Sequence, residues 1–186
     1  GELEENLANN IKICNMLANS PEFRNKAENA EMAVKTDYLQ SIHLIERLHR
    51  QFLEVVKNEL DRHGMQDINN IQAVILYNIG EDELTVGELT NRGYYLGSNV
   101  SYNVRKMVEN GYLIQERSAH DRRSIRVRLA DKGLELRNIV DTMFDRHSER
   151  LGSDTVPVEE LNHANTILLR LERFWSGGMG FGAGPI

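Results

Sequence analysis

The spacing of apolar residues predicts long amphipathic helices towards both ends of the chain. Eight apolar residues from Leu39 to Leu60 recur at helical intervals, and Gly64 ends the pattern. Ser20-Pro21 interrupts a shorter stripe before it, and Pro157 suits the first turn of a later helix. The helices predicted in this way cover residues 3–17, about 36–63, 131 to about 151, and 157 to about 175.

The middle of the chain carries shorter elements separated by glycines and polar turns. The stretch INNIQAVILYNI is apolar nearly all round, which predicts a helix buried among others and closed by Gly80. After a loop, EDEL, Thr85 and Glu88 have the spacing of a capping box and predict a short helix. Ser98 can cap another. The three predicted helices cover residues 68–79, about 86–92, and 98–110.

Two short strands follow and complete a winged helix-turn-helix. The strands are predicted at 112–117 and 125–129, with a polar turn between them. Apolar residues of the second strand alternate with Arg126 and Arg128, so both arginines point outward. A helix, a capped short helix, a turn, a second helix and a hairpin with a basic tip form this motif. The predicted fold class is mainly α with a small β-hairpin wing, in which long helices flank the winged helix-turn-helix core.

Charge is unevenly distributed along the chain, whose formal net charge is −6. Residues 92–128 contain eight basic and three acidic residues, a local net charge of +5. The rest of the chain contains 14 basic and 25 acidic residues, which leaves −11. Phosphates are attracted by a local basic patch and not by the average charge, so the segment with the hairpin is expected to meet nucleic acid.

The central fifty residues carry a resemblance to a known family. The run LTVGELTNRGYYLGSNVSYNVRKMVENGYLIQERSAHDRRSIRVRLADKG resembles the DNA-binding core of MarR-type transcriptional regulators. The resemblance rests on LTVGEL, SNVS, ENGYL, Arg117, the DRR of the wing, and VRLADKG. It implies an obligate homodimer that binds a near-palindromic operator and responds to a small ligand or to oxidation. Within the family, RGYYLGSNVSYN is similar to a subgroup linked to regulation of L,D-transpeptidase genes.

The resemblance also assigns a role to each part of the chain. The terminal helices would form the dimer, and the effector would be a small apolar or aromatic acid. A cavity for it is expected where the long helix, the 68–79 helix and the 131–151 helix meet. The predicted regions are an N-terminal helical extension (1–35), dimerisation helices (36–66 and 131–175), the winged helix-turn-helix (67–130) and a flexible glycine-rich tail (176–186).

Polar residues in the first two turns of the 98–110 helix lie largely away from its apolar stripe. They can face base edges and phosphates in a major groove, where asparagine and arginine make bidentate contacts. The alternative is that Ser98 only caps the helix and that Tyr102 packs beside the turn. The predicted contacts on this helix are Ser98, Asn99, Ser101, Tyr102 and Arg105.

The hairpin tip supplies a second set of predicted DNA contacts. Arg122 is expected to enter a narrow minor groove, and Arg123 lies beside it. Asp121 repels phosphate, so we expect it to orient an arginine, either Arg117 or Arg123. The alternative for the tip is a solvated charged turn. The two strand arginines, Arg126 and Arg128, either face the DNA backbone or keep an exposed strand soluble.

Other chemistry finds little support in the sequence. The single cysteine, Cys14, excludes an internal disulfide, fits a reducing cytoplasm and is expected to be a packed, inert thiol. The six histidines lack paired ligand spacing, so we predict no metal or other cofactor. No nucleophile-elbow or metalloprotease spacing occurs, which argues against an enzyme. Because no apolar run approaches the ~20 residues of a membrane span, the predicted location is the cytoplasm.

Two functions therefore compete. The first is a dimeric, ligand-responsive regulator that binds double-stranded DNA. The alternative is a winged-helix protein-interaction module without DNA binding, whose basic face meets an acidic protein.

Overall fold

The computed structural model describes residues 2–93, 97–121 and 123–179, which form helices and one small sheet. The mainly α fold class with a small β wing is confirmed. The helices are α1 (Glu2–Ala18), α2 (Pro21–Arg62), α3 (Asn70–Ile79), α4 (Val86–Gly93), α5 (Gly97–Glu109), α6 (Asp131–Arg150) and α7 (Val158–Phe174). The strands are β1 (Leu84–Thr85), β2 (Leu113–Arg117) and β3 (Ile125–Leu129), and π-helical turns follow α6 and α7 at Leu151–Thr155 and Trp175–Met179.

The chain divides into two units, the first of which ends at Val55. It contains α1 and most of α2, and none of the described residues 2–55 is buried. The prediction that α2 begins near residue 36 was wrong, because the helix begins at Pro21. The Ser20 hydroxyl accepts a hydrogen bond from the Phe23 backbone N–H (3.2 Å), so the Ser-Pro pair that interrupts the stripe also starts a helix.

The second unit begins at Val56 and holds the hydrophobic core. The predicted buried helix, α3, contributes Ile75, Leu76 and Ile79, each at most 1% exposed. The side chain of Asn69 caps α3 through a capping box with Gln72, so the helix begins two residues later than predicted. Gly80 ends α3 with a positive φ of 60°, a conformation that favours glycine.

The sheet has the order β1-β3-β2 with both pairs antiparallel. The hairpin of β2 and β3 follows the predicted alternation, and Val127 is fully buried. Strand β1 lies partly in the stretch that we predicted to be a loop, since two residues are too few to show an alternating pattern. Thr85 pairs with Arg126 in the sheet and also caps α4, because its hydroxyl accepts a hydrogen bond from the Glu88 backbone N–H (3.1 Å).

Helix α7 runs from residue 158, as its apolar stripe predicts, but it has no buried residue. The π-helical turn after it extends helical structure into the range predicted as a glycine-rich tail. Residues 180–186 of that tail lie outside the described residues.

Candidate nucleic-acid interface

Helix α5 has one buried and one exposed face. The buried face consists of Val100, Asn103, Val104 and Met107, each at most 9% exposed. All five residues predicted to contact DNA lie on the exposed face: Ser98, Asn99, Ser101, Tyr102 and Arg105. They therefore form a continuous polar surface at the start of α5, which we call the α5 face.

The structure bears on the first of the two alternatives for this helix. Helix α5 begins at Gly97, so Ser98 lies inside its first turn and does not cap it. Tyr102 is 52% exposed, and the turn beside which it was alternatively expected to pack includes residues 94–96, which lie outside the described residues. Its ring lies beside two cations, the Arg105 guanidinium at 5.9 Å and the Lys106 ammonium at 6.0 Å from the ring centroid. The ring and the two cations give this turn of α5 a cationic, partly aromatic surface.

Some basic residues of the 92–128 segment are neutralised by nearby carboxylates. Arg92 pairs with Asp82 (2.9 Å), Lys106 with Glu109 (3.3 Å) and Arg128 with Glu116 (3.3 Å). The ion pair of Arg128 joins the two strands of the hairpin, and the roles predicted for Arg126 and Arg128 stay open. By contrast, three exposed arginines form no ion pair with any described residue: Arg105, Arg117 and Arg123.

The tip of the wing is shaped by short polar side chains and backbone bonds. The Asp121 carboxylate accepts a hydrogen bond from the Arg123 backbone N–H (3.0 Å), and the Asp121 carbonyl accepts one from Ser124 (3.0 Å). Asp121 thus holds the backbone of Arg123, where we expected it to bind an arginine side chain. An aspartate in a turn bonds easily to the backbone two residues on, which the prediction did not consider. Arg122, predicted for the minor groove, lies outside the described residues.

Sequence reasoning missed a polar cluster that holds the end of α5. Tyr112 is fully buried, and its hydroxyl donates to the Asp67 carboxylate (2.5 Å). Lys132, at the start of α6, also donates to Asp67, and its ammonium lies 4.3 Å from the Tyr112 ring centroid. The Asn110 amide donates to the Asp67 carbonyl (2.9 Å). We call this group of residues the Asp67 cluster.

The charges of the Asp67 cluster change the acidity of its members. The hydrogen bonds from Lys132 and Tyr112 hold the pKa of Asp67 below its usual value. Burial and the neighbouring carboxylate raise the pKa of the Tyr112 hydroxyl. Asp67 is therefore ionised and Tyr112 neutral at neutral pH, so the protonated hydroxyl can donate its hydrogen bond to the ionised carboxylate.

A buried carboxylate, Glu59, joins the end of α2 to α6. Its side chain is 5% exposed and accepts a hydrogen bond from the Arg146 guanidinium (2.7 Å). Burial opposes its ionisation, but the bonds and charges of Arg146 and Arg62 outweigh burial and lower the pKa of Glu59. Arg62 and His63 each lie 3.3 Å from the carboxylate.

An open groove of about 370 Å³ lies beside Glu59. Its described lining comes from His63 and from one face of α6, with Ile139 as the apolar member. No described residue of α2 or α3 lines this groove, and the predicted cavity where these two helices meet α6 stays a prediction. Its lining residues are His63, Glu135, Asn138, Ile139, Thr142 and Arg146.

Three further features bear on function. Cys14 is exposed, so the expectation of a packed thiol was wrong for the single chain. Among the described residues, no group of three or more histidine, cysteine or acidic side chains is arranged to hold a metal ion. Within the same residues, no helix has the length and apolar character needed to span a membrane.

Comparison with known proteins places the chain in a family. A sequence model of the MarR family matches residues 63–124, which include the helix-turn-helix and the tip of the wing. The transcriptional activator of exopolysaccharide II synthesis ExpG, from Rhizobium meliloti (strain 1021), is 34% identical over 145 residues, 78% of this chain and 75% of that protein. The chain belongs to the MarR family.

Solved structures agree with this assignment. The transcriptional regulator BldR from Sulfolobus Solfataricus is 26% identical with a TM-score of 0.58, over 72% of this MarR-family chain and 96% of that one. FabT of Streptococcus pneumoniae, solved in complex with DNA, has a TM-score of 0.62 at 18% identity, over 75% and 97% of the two chains. This second likeness concerns the fold alone. The MarR-family chain is a winged-helix transcriptional regulator.

Proposed function

We propose that this MarR-family chain is a dimeric, ligand-responsive regulator that binds a near-palindromic operator. Helix α5 enters the major groove, and the wing reaches the adjacent minor groove. One observation carries the proposal: every residue of the α5 face is exposed, and the face lies in a segment whose arginines are not all neutralised. Arg105, Arg117 and Arg123 remain available to phosphates or bases, because they form no ion pair with a described residue.

The dimer is supported by apolar surface that one chain leaves uncovered. Helix α7 exposes Leu161, Ile167 and Leu168 by 43–46%, and α1 exposes Leu3 and Leu7 by more than half. Large apolar side chains left exposed along a helix are typical of an interaction site. Two-fold symmetry would then place the two α5 helices about one turn of DNA apart, roughly 34–36 Å.

The effector is proposed to bind in the groove beside Glu59. Arg146, which also binds Glu59, and His63 provide hydrogen-bonding groups, and Ile139 provides an apolar wall, which together suit a small aromatic acid. Such a ligand would favour a dimer in which the α5 helices have the wrong spacing. The cytoplasmic location and the link to L,D-transpeptidase genes stay predictions.

The proposal is tested with variants whose effects differ in kind. Asn99→Ala and Arg105→Ala are expected to change sequence preference, by about 1–3 kcal/mol at the affected base pair. Arg122→Ala is expected to weaken binding to all sequences alike. It should also flatten the dependence of log affinity on log salt by about 0.9 for each phosphate that the variant no longer neutralises. Lys57→Ala, which removes an exposed lysine from α2, is the matched control and should change neither the sequence preference nor the salt dependence.

The measurement is a salt-resolved titration of duplexes selected from a randomised pool by the wild-type protein. If the wild-type protein elutes from immobilised duplex DNA unretarded at low salt, the protein-interaction module is the better explanation. If Arg122→Ala leaves the salt slope unchanged, the wing residue makes no phosphate contact. Small aromatic acids added to the same titration test the effector, which should release the selected duplex.

A further inference from the structure

The buried face of α5 contains a polar connection to α3 that the helix-turn-helix motif does not require. Gln72 and Asn103 are 7% and 9% exposed, and the Gln72 Nε2 donates to the Asn103 Oδ1 (3.2 Å). Their neighbours on α5, Val100, Val104 and Met107, are apolar. A buried amide pair contributes little net free energy compared with an apolar pair of the same shape, so its presence calls for another explanation.

The backbone N–H of Asn69 determines which atoms donate and which accept along this chain of hydrogen bonds. The backbone N–H of Asn69 can only donate, and it donates to the Gln72 Oε1 (3.1 Å). The Gln72 Nε2 therefore faces Asn103, whose oxygen must accept. The remaining Asn103 Nδ2 donates to the carbonyl of Asn99 (2.9 Å). Each amide thus has one orientation, and the chain runs from the cap of α3 to the first turn of α5.

The connection ends beneath the proposed DNA-contacting surface. Asn99 is itself part of the α5 face, and Ser98 and Tyr102 lie within one turn of it. Hydrophobic contacts are not directional, so valine and methionine contacts alone tolerate small rotations of a helix about its axis. Turning α5 by about 20° would move side-chain tips that lie about 6 Å from its axis by about 2 Å. A hydrogen bond does not survive such a shift, because its length and angle are narrowly restricted.

We propose that Gln72 and Asn103 are positioning residues for sequence discrimination: their buried amide pair sets the rotation of α5 against α3. This inference rests on the proposed function, since it concerns which bases α5 can reach. Neither side chain touches DNA. Their removal reduces the preference for the operator and leaves the phosphate-driven affinity for any duplex in place.

The test uses a double variant of the full chain, Gln72→Met with Asn103→Leu. Both replacements approximate the original shapes and leave no buried side-chain amide without a partner, while the N–H of the exposed Asn69 loses its acceptor on Gln72 and turns to water. The readout is the ratio of affinities for a duplex selected by the wild-type protein and for a scrambled duplex of the same composition. We expect this ratio to fall about tenfold, while affinity for the scrambled duplex changes less than about twofold.

Two further variants separate positioning from folding. Gln72→Glu keeps the oxygen that accepts from Asn69 but loses the N–H that Asn103 needs, so it should also lower the ratio. Val140→Ala removes a buried contact from α6, which packs on α3 and β3. It lowers stability without changing the amide pair and should keep the wild-type ratio. Thermal unfolding of all variants reports their stability.

The outcomes are distinct. A folded double variant with the wild-type ratio overturns the inference, as does an equal loss of discrimination in Val140→Ala. If the double variant does not fold, the inference is tested by the ratio of affinities of Gln72→Glu for the selected and the scrambled duplex. If the wild-type protein enriches no sequence from the pool, the proposed function fails and the inference fails with it. Enrichment by the wild type followed by unchanged ratios in the variants overturns the inference alone.

Discussion

Asp67 joins three segments that are far apart in the sequence. Its carboxylate accepts hydrogen bonds from Tyr112 and Lys132, and its carbonyl accepts one from Asn110. Tyr112 follows α5, and Lys132 lies in the first turn of α6. One residue therefore links the segment before α3 to the end of α5 and to the start of α6.

The lowered pKa of Asp67 predicts a pH-dependent contribution to stability. The unfolded chain binds the proton more readily than the folded protein does, so the contribution is complete above the ordinary aspartate pKa of about 4. It is lost as the pH falls through the lower folded-state pKa. Asp67→Asn is expected to lower the free energy of unfolding by about 1 kcal/mol at pH 7. This value is reduced for solvent screening because the carboxylate is 45% exposed.

Urea unfolding of the wild type and Asp67→Asn between pH 7 and about pH 3 checks this prediction. The difference between the two proteins should shrink towards zero at the acid end. Asp61→Asn is the control, since Asp61 is an exposed aspartate that forms no ion pair with a described residue. A difference for Asp67→Asn that stays constant over the whole pH range would contradict the charge-based explanation.

At the scale of elements, the packing of α6 against the wing depends on a close backbone approach. A Cβ placed on Gly133 would lie 2.2 Å from the Tyr112 carbonyl oxygen and 3.4 Å from the Leu129 Cβ. The same carbonyl accepts the Ala130 N–H (3.0 Å) and so cannot move freely. Glycine at this position allows the first turn of α6 to pack directly on the end of α5 and the start of β2.

We expect Gly133→Ala to destabilise the protein by about 1–3 kcal/mol, because the backbone has to shift to relieve the overlap. Gly87→Ala is the matched control in α4, where a Cβ would meet only the Thr85 hydroxyl at 3.9 Å. There alanine should be neutral or slightly stabilising. Denaturant unfolding of the two variants measures the difference. Equal effects of the two substitutions would show that the close approach at Gly133 is tolerated.

At the scale of the whole molecule, the distribution of apolar side chains points beyond a single chain. The core lies between Val56 and Met143, whereas the described residues 2–55 and all of α7 contain no buried residue. Amphipathic helices are stabilised chiefly by burying their apolar faces. These helices therefore need a partner, which we propose to be a second copy of the chain.

Leu168→Glu is expected to raise the dimer dissociation constant at least about tenfold, since burying one leucine contributes about 1.5–3 kcal/mol. Thr166→Glu adds the same charge to another face of α7 and should have little effect. Sedimentation equilibrium at several concentrations distinguishes the two variants. If they share the wild-type dissociation constant, α7 is not part of the interface.

Much of this architecture follows from the sequence, because helix periods, capping boxes and strand alternation are properties of neighbouring residues. The capping box at Thr85, the alternation in β3 and the exposed positions of α5 were all predicted from patterns a few residues long. The MarR-type core was predicted from the resemblance of motifs such as LTVGEL, SNVS and VRLADKG to that family. Predictions of helix ends were wrong where one local signal fits two structures. Pro21 is such a case, because it interrupts one helix and starts the next.

Only the tertiary structure decided which residues are paired across the fold. Gln72 and Asn103 are 31 positions apart, and Asp67 and Lys132 are 65 apart. No period in the sequence connects them, because chain reversals between the elements determine their distance. The structure likewise decided which arginines are ion-paired, since Arg128 binds the Glu116 carboxylate whereas Arg105 forms no ion pair with a described residue. Local patterns determined the elements, and long-range packing determined which side chains remain available to DNA.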